Sequence, residues 1–377
     1  MIKSKSWVKI FMTIILFIVF FISIVNFIVD HYGIYKTNFF SNKPREFIQS
    51  RLIKALKLKE VKPASIIIGT SRADLAINPE HQYFQKPSYN SSIPGSSIYE
   101  IKFYVKEAIK GGNLKQILFV IDWRMFNDYM KKVEDFESYF NNFNPYKYLL
   151  NLKFLEDSYF TIKNQNMESL YLKNGFLEDS HMINSIRHSG GHLSFMNKED
   201  KFYYLLFQTS NNSYKDTKRD SFDDFNDILR MCYENNIKLD IVFGPSHIRQ
   251  WESFSYYHDI NIWYKWKKDV VLAVNQVAKE QNKKTFKVFD FSVYHDFTAE
   301  QVPSDPKVSM KYHWESSHYK KELGNIVLDR LLGISSHKDF GVELTLKNID
   351  EHLDKLKNDR AKYIDTKKYK EEVFGEY

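Results

Sequence analysis

The longest unbroken apolar stretch lies near the N-terminus, where Ile10 to Val29 reads IFMTIILFIVFFISIVNFIV without a charge. About twenty such residues, at ~1.5 Å each in a helix, match the ~30 Å hydrocarbon core of a bilayer. Trp7 and Lys9 stand at one end and His31 and Tyr32 at the other, side chains suited to the membrane interface. No small-residue cleavage site follows Val29, so the pattern predicts an uncleaved anchor within residues 1–35. A buried helix of a soluble protein would read the same way. Lys3, Lys5 and Lys9 precede the stretch, while Lys36, Lys43 and Arg45 follow it. With a short tail before the helix and Asp30 after it, the expected arrangement is a single-pass signal anchor in the lipid bilayer, with the globular part outside the cytoplasm.

After the anchor the pattern changes to short apolar runs alternating with amphipathic ones. Glu46 to Val61 has helical spacing and ends before Pro63. ASIIIGTSR reads as a fully buried strand at Ser65–Ile68 entering a turn at Gly69. SSIYEIKFYVKEAIKGG predicts an amphipathic helix closed by Gly111 and Gly112, and KQILFVIDW a second buried strand. A helix over Asp220–Asn236, the strand KLDIVFGP, a helix over Lys267–Glu280, the strand FKVFDFS and a last helix from about Tyr319 continue the alternation. Hydrophobic strands separated by helices predict an α/β fold, a three-layer sandwich with a mostly parallel sheet. The expected domain runs over residues 36–334. Between about 123 and 217 the alternation breaks into a stretch rich in Phe, Tyr, Asn and Lys, read as an insertion covering one end of the sheet, a lid or partner surface. Residues 335–377 read as a charged, partly helical tail.

Composition narrows the picture. The chain of 377 residues is 43% hydrophobic and 27% charged, the profile of a folded protein. The net charge of +7 is spread along the chain in short lysine clusters, with no nucleic-acid-binding motif. Cys232 is the sole cysteine, which excludes intrachain disulfides and thiolate metal clusters. No paired ligands at metal spacing, no Walker loop and no G-x-G-x-x-G after a strand are found, so no metal and no cofactor is expected.

Three segments carry candidate chemistry. Gly69-Thr70-Ser71-Arg72 stands at the carboxyl end of the first core strand, the end at which parallel sheets bind ligands. A serine on such a turn exposes its hydroxyl and offers its N–H to an oxyanion; a serine there also caps helices. Trp314-Glu315-Ser316-Ser317-His318-Tyr319 supplies an imidazole with a carboxylate three residues before it, the parts a serine nucleophile requires, or an ordinary histidine near a helix start. Asn90-Ser91-Ser92-Ile93-Pro94-Gly95 offers a Gly95 N–H to the same oxyanion, or an ordinary Pro-Gly turn. Asn90, Arg72, Asp122 and His247 are further candidates for lining a substrate pocket; each also has a structural reading as cap, ion pair or core side chain. Asp290, closing the fourth strand, reads as structural.

A serine in a G-x-S turn after the first strand, a downstream glycine loop and an acid-x-x-His near the end together resemble the SGNH hydrolase superfamily. The similarity covers most of Ile66 to Leu332 and is nearest to subgroups anchored by one N-terminal helix, including the D-alanyl transfer protein of teichoic acid synthesis and the alginate O-acetylation proteins. The resemblance implies a flavodoxin-like sheet, Ser71 as nucleophile, His318 as general base, Glu315 as its orienting acid, and the Ser71 and Gly95 N–H groups in an oxyanion hole. Three departures stand out. G-D-S is G-T-S here, the usual aspartate is Glu315, and the family's oxyanion asparagine is missing, its position reading Ile121-Asp122-Trp123-Arg124. The implied activity is an esterase or O-acyltransferase acting on a cell-envelope or secreted polysaccharide, beside a multipass membrane acyltransferase. A non-catalytic carbohydrate-binding or scaffold protein on the same fold is the alternative.

Overall fold

A computed structural model describes residues 4–127, 135–206, 212–214 and 218–375. Lys3 of the basic N-terminal flank, residues 128–134, 207–211 and 215–217 of the insertion, and the last two residues lie outside them. The chain divides into two compact units, Met1–Lys57 with Glu134–Leu172, and Leu58–Val133 with Lys173–Tyr377. Of the aromatic-rich stretch, Glu134–Leu172 falls in the first unit and the remainder in the second.

In the first unit, helix α1 (Ser4–Val29) contains a span from Ser6 to Val29 with mean hydropathy 2.9, long and apolar enough to cross a membrane. Leu16, Phe17 and Phe20 are strongly exposed, a surface that water penalises and lipid does not. The end of α1 is anchored by polar contacts. The Asn26 amide donates to the Leu149 and Asn151 carbonyls at 2.9 and 3.2 Å, where the short α5 (Tyr146–Leu149) leads into α6 (Leu152–Lys163). Tyr32 donates to Asp157 at 2.6 Å, and Asp30 accepts the N–H groups of Tyr35 and Thr37. Helix α2 (Ser50–Val61) follows the predicted spacing, preceded by a 3₁₀ turn over Glu46–Gln49.

The second unit is built on a sheet of six strands: β1 (Ser65–Ile68), β2 (Ser88–Asn90), β3 (Gln116–Ile121), β4 (Lys238–Phe243), β5 (Lys287–Asp290) and β6 (Val342–Leu344), in the order β2-β1-β3-β4-β5-β6. The first five are mutually parallel and β6 is antiparallel to β5. Every residue of β1 and β3 is buried, which is why they read as unbroken apolar runs. Helices α3 (Ser71–Ala76), α4 (Ile98–Lys110), α9 (Ser221–Glu234), α11 (Ile260–Glu280) and α12 (Lys321–Leu332) connect the strands, with α4 against α9, α9 against α11, and α3 against α12. Ser97 and Glu100 close a capping box that starts α4, satisfying two N–H groups that a helix end leaves open. Helices α7 (Ser180–His188), α8 (His192–Leu206) and α10 (Ile248–Tyr257) add to this unit.

The tail is more ordered than its charge implied. It contributes β6, α13 (Ile349–Tyr363) and α14 (Thr366–Phe374), and its His352 is buried against Asp290 at 2.8 Å. Asp290 is structural, as its place at a strand end implied: the fully buried Lys267 also pairs with it at 2.6 Å. Strand order reverses beside β1, and the crevice between the carboxyl ends of β1 and β3 is where such sheets take ligands.

Candidate functional site

Ser71 stands at that crevice. Gly69 lets β1 leave the sheet closely, since a Cβ there would lie 2.7 Å from the Val120 carbonyl and 2.9 Å from Ala73 Cβ. Thr70 is extended, and Ser71 then opens α3, where first-turn N–H groups have no partner inside the helix. Both neighbours of Ser71 are clamped. Thr70 Oγ1 donates to Asp122 Oδ2 at 2.7 Å, while the buried Arg72 pairs with Asp122 and donates through Nε to the Ser317 carbonyl at 3.2 Å. The nucleophile candidate is thereby tied to the end of β3 on one side and to the late loop on the other.

That loop brings His318 to Ser71. Its Nε2 lies 2.7 Å from Ser71 Oγ, across 247 positions of sequence. The loop is a tight turn in which Trp314 N–H donates to the His318 carbonyl at 2.8 Å, with a bridge between His313 and Tyr319 outside it. The Glu315 carboxylate sits inside, accepting the N–H groups of Ser317 and His318 at 2.8 and 2.9 Å, the Ser317 hydroxyl at 2.9 Å, the Tyr203 hydroxyl at 2.8 Å, and His318 Nδ1. Burial alone would raise its pKa, but the His318 ring and these donors hold it down at about 2. An ionised carboxylate facing Nδ1 assigns the proton there and leaves the Nε2 lone pair to accept from Ser71. Ser71, His318 and Glu315 are therefore together in one hydrogen-bonded chain. His318 is partly open to solvent, its side chain 21% exposed.

Three supporting residues escaped the sequence reading. Tyr203 and Asp200 come from α8, three apart on one helix face, and Arg249 comes from α10. Asp200, fully buried, accepts from Ser316 Oγ, from Arg249 Nε at 3.0 Å and from the Tyr369 hydroxyl of α14 at 3.1 Å. Burial raises its pKa to about 6 against the pull of Arg249 and the hydroxyls. Asp200 braces the turn from behind at the residue next to Glu315. Nothing but their spacing on an unremarkable helix marked these positions. Beside them, a groove along α7 and α8 is lined by Asn184, Ser185, His188, Lys198 and Glu199. Burial and the nearby Glu315 push the Glu199 carboxyl up to about 7.

The loop after β2 is laced to the end of β1. Ile93 N–H and Ser96 Oγ both donate to the Gly69 carbonyl at 3.0 Å, and Gly95 takes a φ of +61°, which favours glycine.

The residues expected to touch substrate also have protein partners. Asn90 is completely buried, its amide donating to the Ala73 and Ile77 carbonyls and accepting from Ser92 N–H. His247 caps α10 through Nδ1 and donates through Nε2 to the Glu300 carbonyl at 2.8 Å; burial and His313 push its pKa well down, so it is neutral. Asp122 accepts the Arg124 N–H at 3.0 Å in addition to Thr70 and Arg72. Burial opposes its charge, yet Arg72 and these donors hold its pKa down. Arg72 is committed to Asp122 in turn.

Among the described residues, no group of three or more His, Cys, Asp or Glu side chains could hold a metal ion. No protein-family model matches the chain, and no curated protein matches it.

Proposed function

We propose that this chain is a membrane-anchored serine esterase or O-acyltransferase of the SGNH type, working through an acyl-Ser71 intermediate. The observation that carries the reading is the 2.7 Å contact of Ser71 Oγ with His318 Nε2, with Glu315 behind the ring. Ser71 Oγ attacks the acyl carbonyl while His318 takes its proton; the imidazolium then protonates the departing alcohol, leaving the acyl group on Ser71. Water or a sugar hydroxyl, deprotonated by His318, releases the acyl group. The N–H groups of Ser71 and Gly95 are assigned to the oxyanion. The strand order 2-1-3-4-5 supports the flavodoxin-like, three-layer architecture that the SGNH resemblance implies. Helix α1 supports action at a membrane, and we assign the sheet unit to the extracytoplasmic face. The substrate class we infer is an acylated cell-envelope or secreted polysaccharide, with the polar groove along α7 and α8 as a surface for sugar hydroxyls, beside a multipass membrane acyltransferase.

A second reading is a non-catalytic carbohydrate-binding or scaffold protein on the same fold. It is favoured by Asp122, an acceptor saturated by Thr70, Arg72 and Arg124 where the SGNH pattern has a donor. Labelling by a fluorophosphonate probe, compared between wild type and Ser71→Ala, separates the two. Serine-dependent labelling is expected; folded wild-type protein that never labels would leave the scaffold reading.

A further inference from the structure

Helix α6, in the first unit, is inside out for a helix in water. The side it buries carries Phe154, Asp157, Ser158 and Thr161, three of the four polar. Its apolar residues Leu152, Tyr159 and Ile162 are turned outward, the first two 66% exposed, and Leu155 is half-buried. Spacings of three, four and three residues place 152, 155, 159 and 162 on one stripe of the helix. Lys153, Glu156 and Lys163 are exposed on a separate strip. A surface helix in water does the reverse and buries its apolar stripe. The approach to α6 repeats the pattern, with Tyr146 and Leu150 72% and 58% exposed.

Asn26 sets the depth of this helix. It sits in the apolar span three residues before Val29, about 4–5 Å inside the span's end. Hydrocarbon offers an amide no partner, and the α5–α6 junction supplies them. Beyond its bonds to the Leu149 and Asn151 carbonyls, Asn26 accepts from Ser158 Oγ at 3.1 Å, and it is buried. Ser158 Oγ also lies 3.0 Å from His31 Nδ1, and Phe154 meets Tyr32 edge-on at 5.5 Å. Helix α6 therefore packs against the last turn of α1 and the residues just past it. That is the level at which hydrocarbon gives way to headgroups. Ile24, Phe27 and Ile28 of α1 are exposed at the same level.

We propose that α6 is a second lipid contact, with Leu152, Leu155, Tyr159 and Ile162 seated in the interfacial layer of the bilayer that α1 crosses. Continuity with α1 selects lipid over a protein partner, because the exposed apolar residues of α1 at that depth face lipid already. Tyrosine is favoured at this layer. An interfacial helix sinks its apolar face about 5–10 Å, which agrees with a junction reaching Asn26. The first unit is then held to the membrane at two places and does not swivel on α1 alone. The proposal rests on the membrane-anchored part of the functional reading and is independent of the acyl-serine chemistry.

The full chain in lipid vesicles tests it, carrying a nitroxide at one introduced cysteine at a time. Phe20→Cys reports on α1, Leu152→Cys, Tyr159→Cys and Ile162→Cys on the stripe, and Lys153→Cys and Glu156→Cys on the polar strip. The native Cys232 is buried, and wild type taken through the labelling gives the background. Relaxation of the spin by oxygen, which concentrates in hydrocarbon, is compared with relaxation by a water-soluble nickel chelate. Oxygen is expected to dominate at Phe20 and at the three stripe positions, and the nickel chelate at Lys153 and Glu156. Leu150→Cys, with the same expectation as the stripe, stands in for any stripe variant that misfolds by circular dichroism. Oxygen dominating at Phe20 while nickel dominates along the stripe would overturn the proposal and leave the anchor intact; it is the result of a face kept for a protein partner. Nickel dominating at Phe20 as well would remove the anchor and the proposal together. Spin–spin broadening at Tyr159→Cys that disappears on dilution with unlabelled chain would put a second copy on the stripe and overturn the proposal too.

Discussion

Replacing Glu315 by Gln changes one atom of a buried carboxylate and is expected to silence Ser71. The carboxylate accepts five hydrogen bonds, from His318 Nδ1, the N–H groups of Ser317 and His318, the Ser317 hydroxyl and the Tyr203 hydroxyl. An amide must turn its NH₂ toward one oxygen's partners. At the Oε1 position it confronts the His318 N–H and His318 Nδ1, and the ring escapes by moving its proton to Nε2, which then cannot accept from Ser71. At the Oε2 position it confronts the Ser317 N–H; in either orientation a backbone bond of about 1–3 kcal/mol is lost, and the imidazolium loses its charged partner. The wrong tautomer costs on the order of 10⁴-fold in serine reactivity. The assay is the second-order rate of fluorophosphonate labelling at neutral pH, beside Ser71→Ala and His318→Ala. A Glu315→Gln protein that labels within tenfold of wild type would refute the reasoning.

The same variant has a stability signature. Glu315 falls from an ordinary 4.5 to about 2 in the folded chain, worth about 3 kcal/mol for a fully buried group. The folded state binds this proton less readily than the unfolded one. Its stabilising contribution is thus complete above about pH 4.5 and drains away as the pH falls toward 2. Glutamine does not titrate. Urea midpoints measured from pH 7 down to pH 3 are expected to drop more steeply in wild type than in Glu315→Gln, and parallel curves would contradict the assignment.

Other perturbations follow from the same geometry. Lys267→Met strips the cation from Asp290, whose carboxyl is held at about 2 against burial by Lys267 and His352, and a loss of about 3–5 kcal/mol in urea unfolding is expected. Gly324→Ala drives a Cβ into the Ala76 carbonyl where α12 meets α3, an overpacking of about 1–3 kcal/mol; since α3 starts at Ser71, its labelling rate falls as well as the melting temperature. Asp122→Asn, designed to supply the amide that the SGNH pattern has there, is expected to lower labelling rather than raise it, because Arg72 and Thr70 already occupy that side chain. An increase in rate would show that the position faces the oxyanion.

The strands were legible because they are buried on both faces, and IIIG, LFVI and IVFG leave no alternation to misread. Helix α11 begins at Ile260, about two turns before the predicted start at Lys267, and its first turns bury Trp263 and Trp266. Strand β6 was illegible for the opposite reason: Val342–Leu344 is short and half exposed, and only its pairing with β5 makes it a strand. At the candidate site, motif order singled out Ser71, Glu315 and His318, which the fold brings into hydrogen-bond contact. For Asn90 and His247 the sequence left both readings open, because their sheet-end placement is the same whether a side chain faces a ligand or a neighbouring backbone. That difference depends on which carbonyls lie within 3 Å, and those belong to residues far along the chain for His247, whose partner is Glu300. Asp200 and Tyr203 were invisible for the same reason.

A glutamate at position 315, where the SGNH pattern has an aspartate, has a local explanation in the turn that holds it. Between Trp314 and His318 the chain closes a turn through the Trp314 N–H and His318 carbonyl, which leaves the Ser317 and His318 N–H groups pointing inward. A carboxylate in that turn must satisfy both inward N–H groups and still reach His318 Nδ1. Glu315 does so with an extra methylene, using Oε1 for the ring and the His318 N–H, and Oε2 for the Ser317 N–H and Tyr203. The turn therefore fixes the imidazole's tautomer by itself, while Asp200 holds it from outside through Ser316. The alcohol is positioned independently, by Asp122 acting on Thr70 and Arg72. Arg72 Nε to the Ser317 carbonyl is a link between the two assemblies, and it helps to fix the separation of the Ser71 hydroxyl from the His318 ring. A histidine retained only as packing would need neither an ionised carboxylate on its far nitrogen nor a serine hydroxyl on its near one.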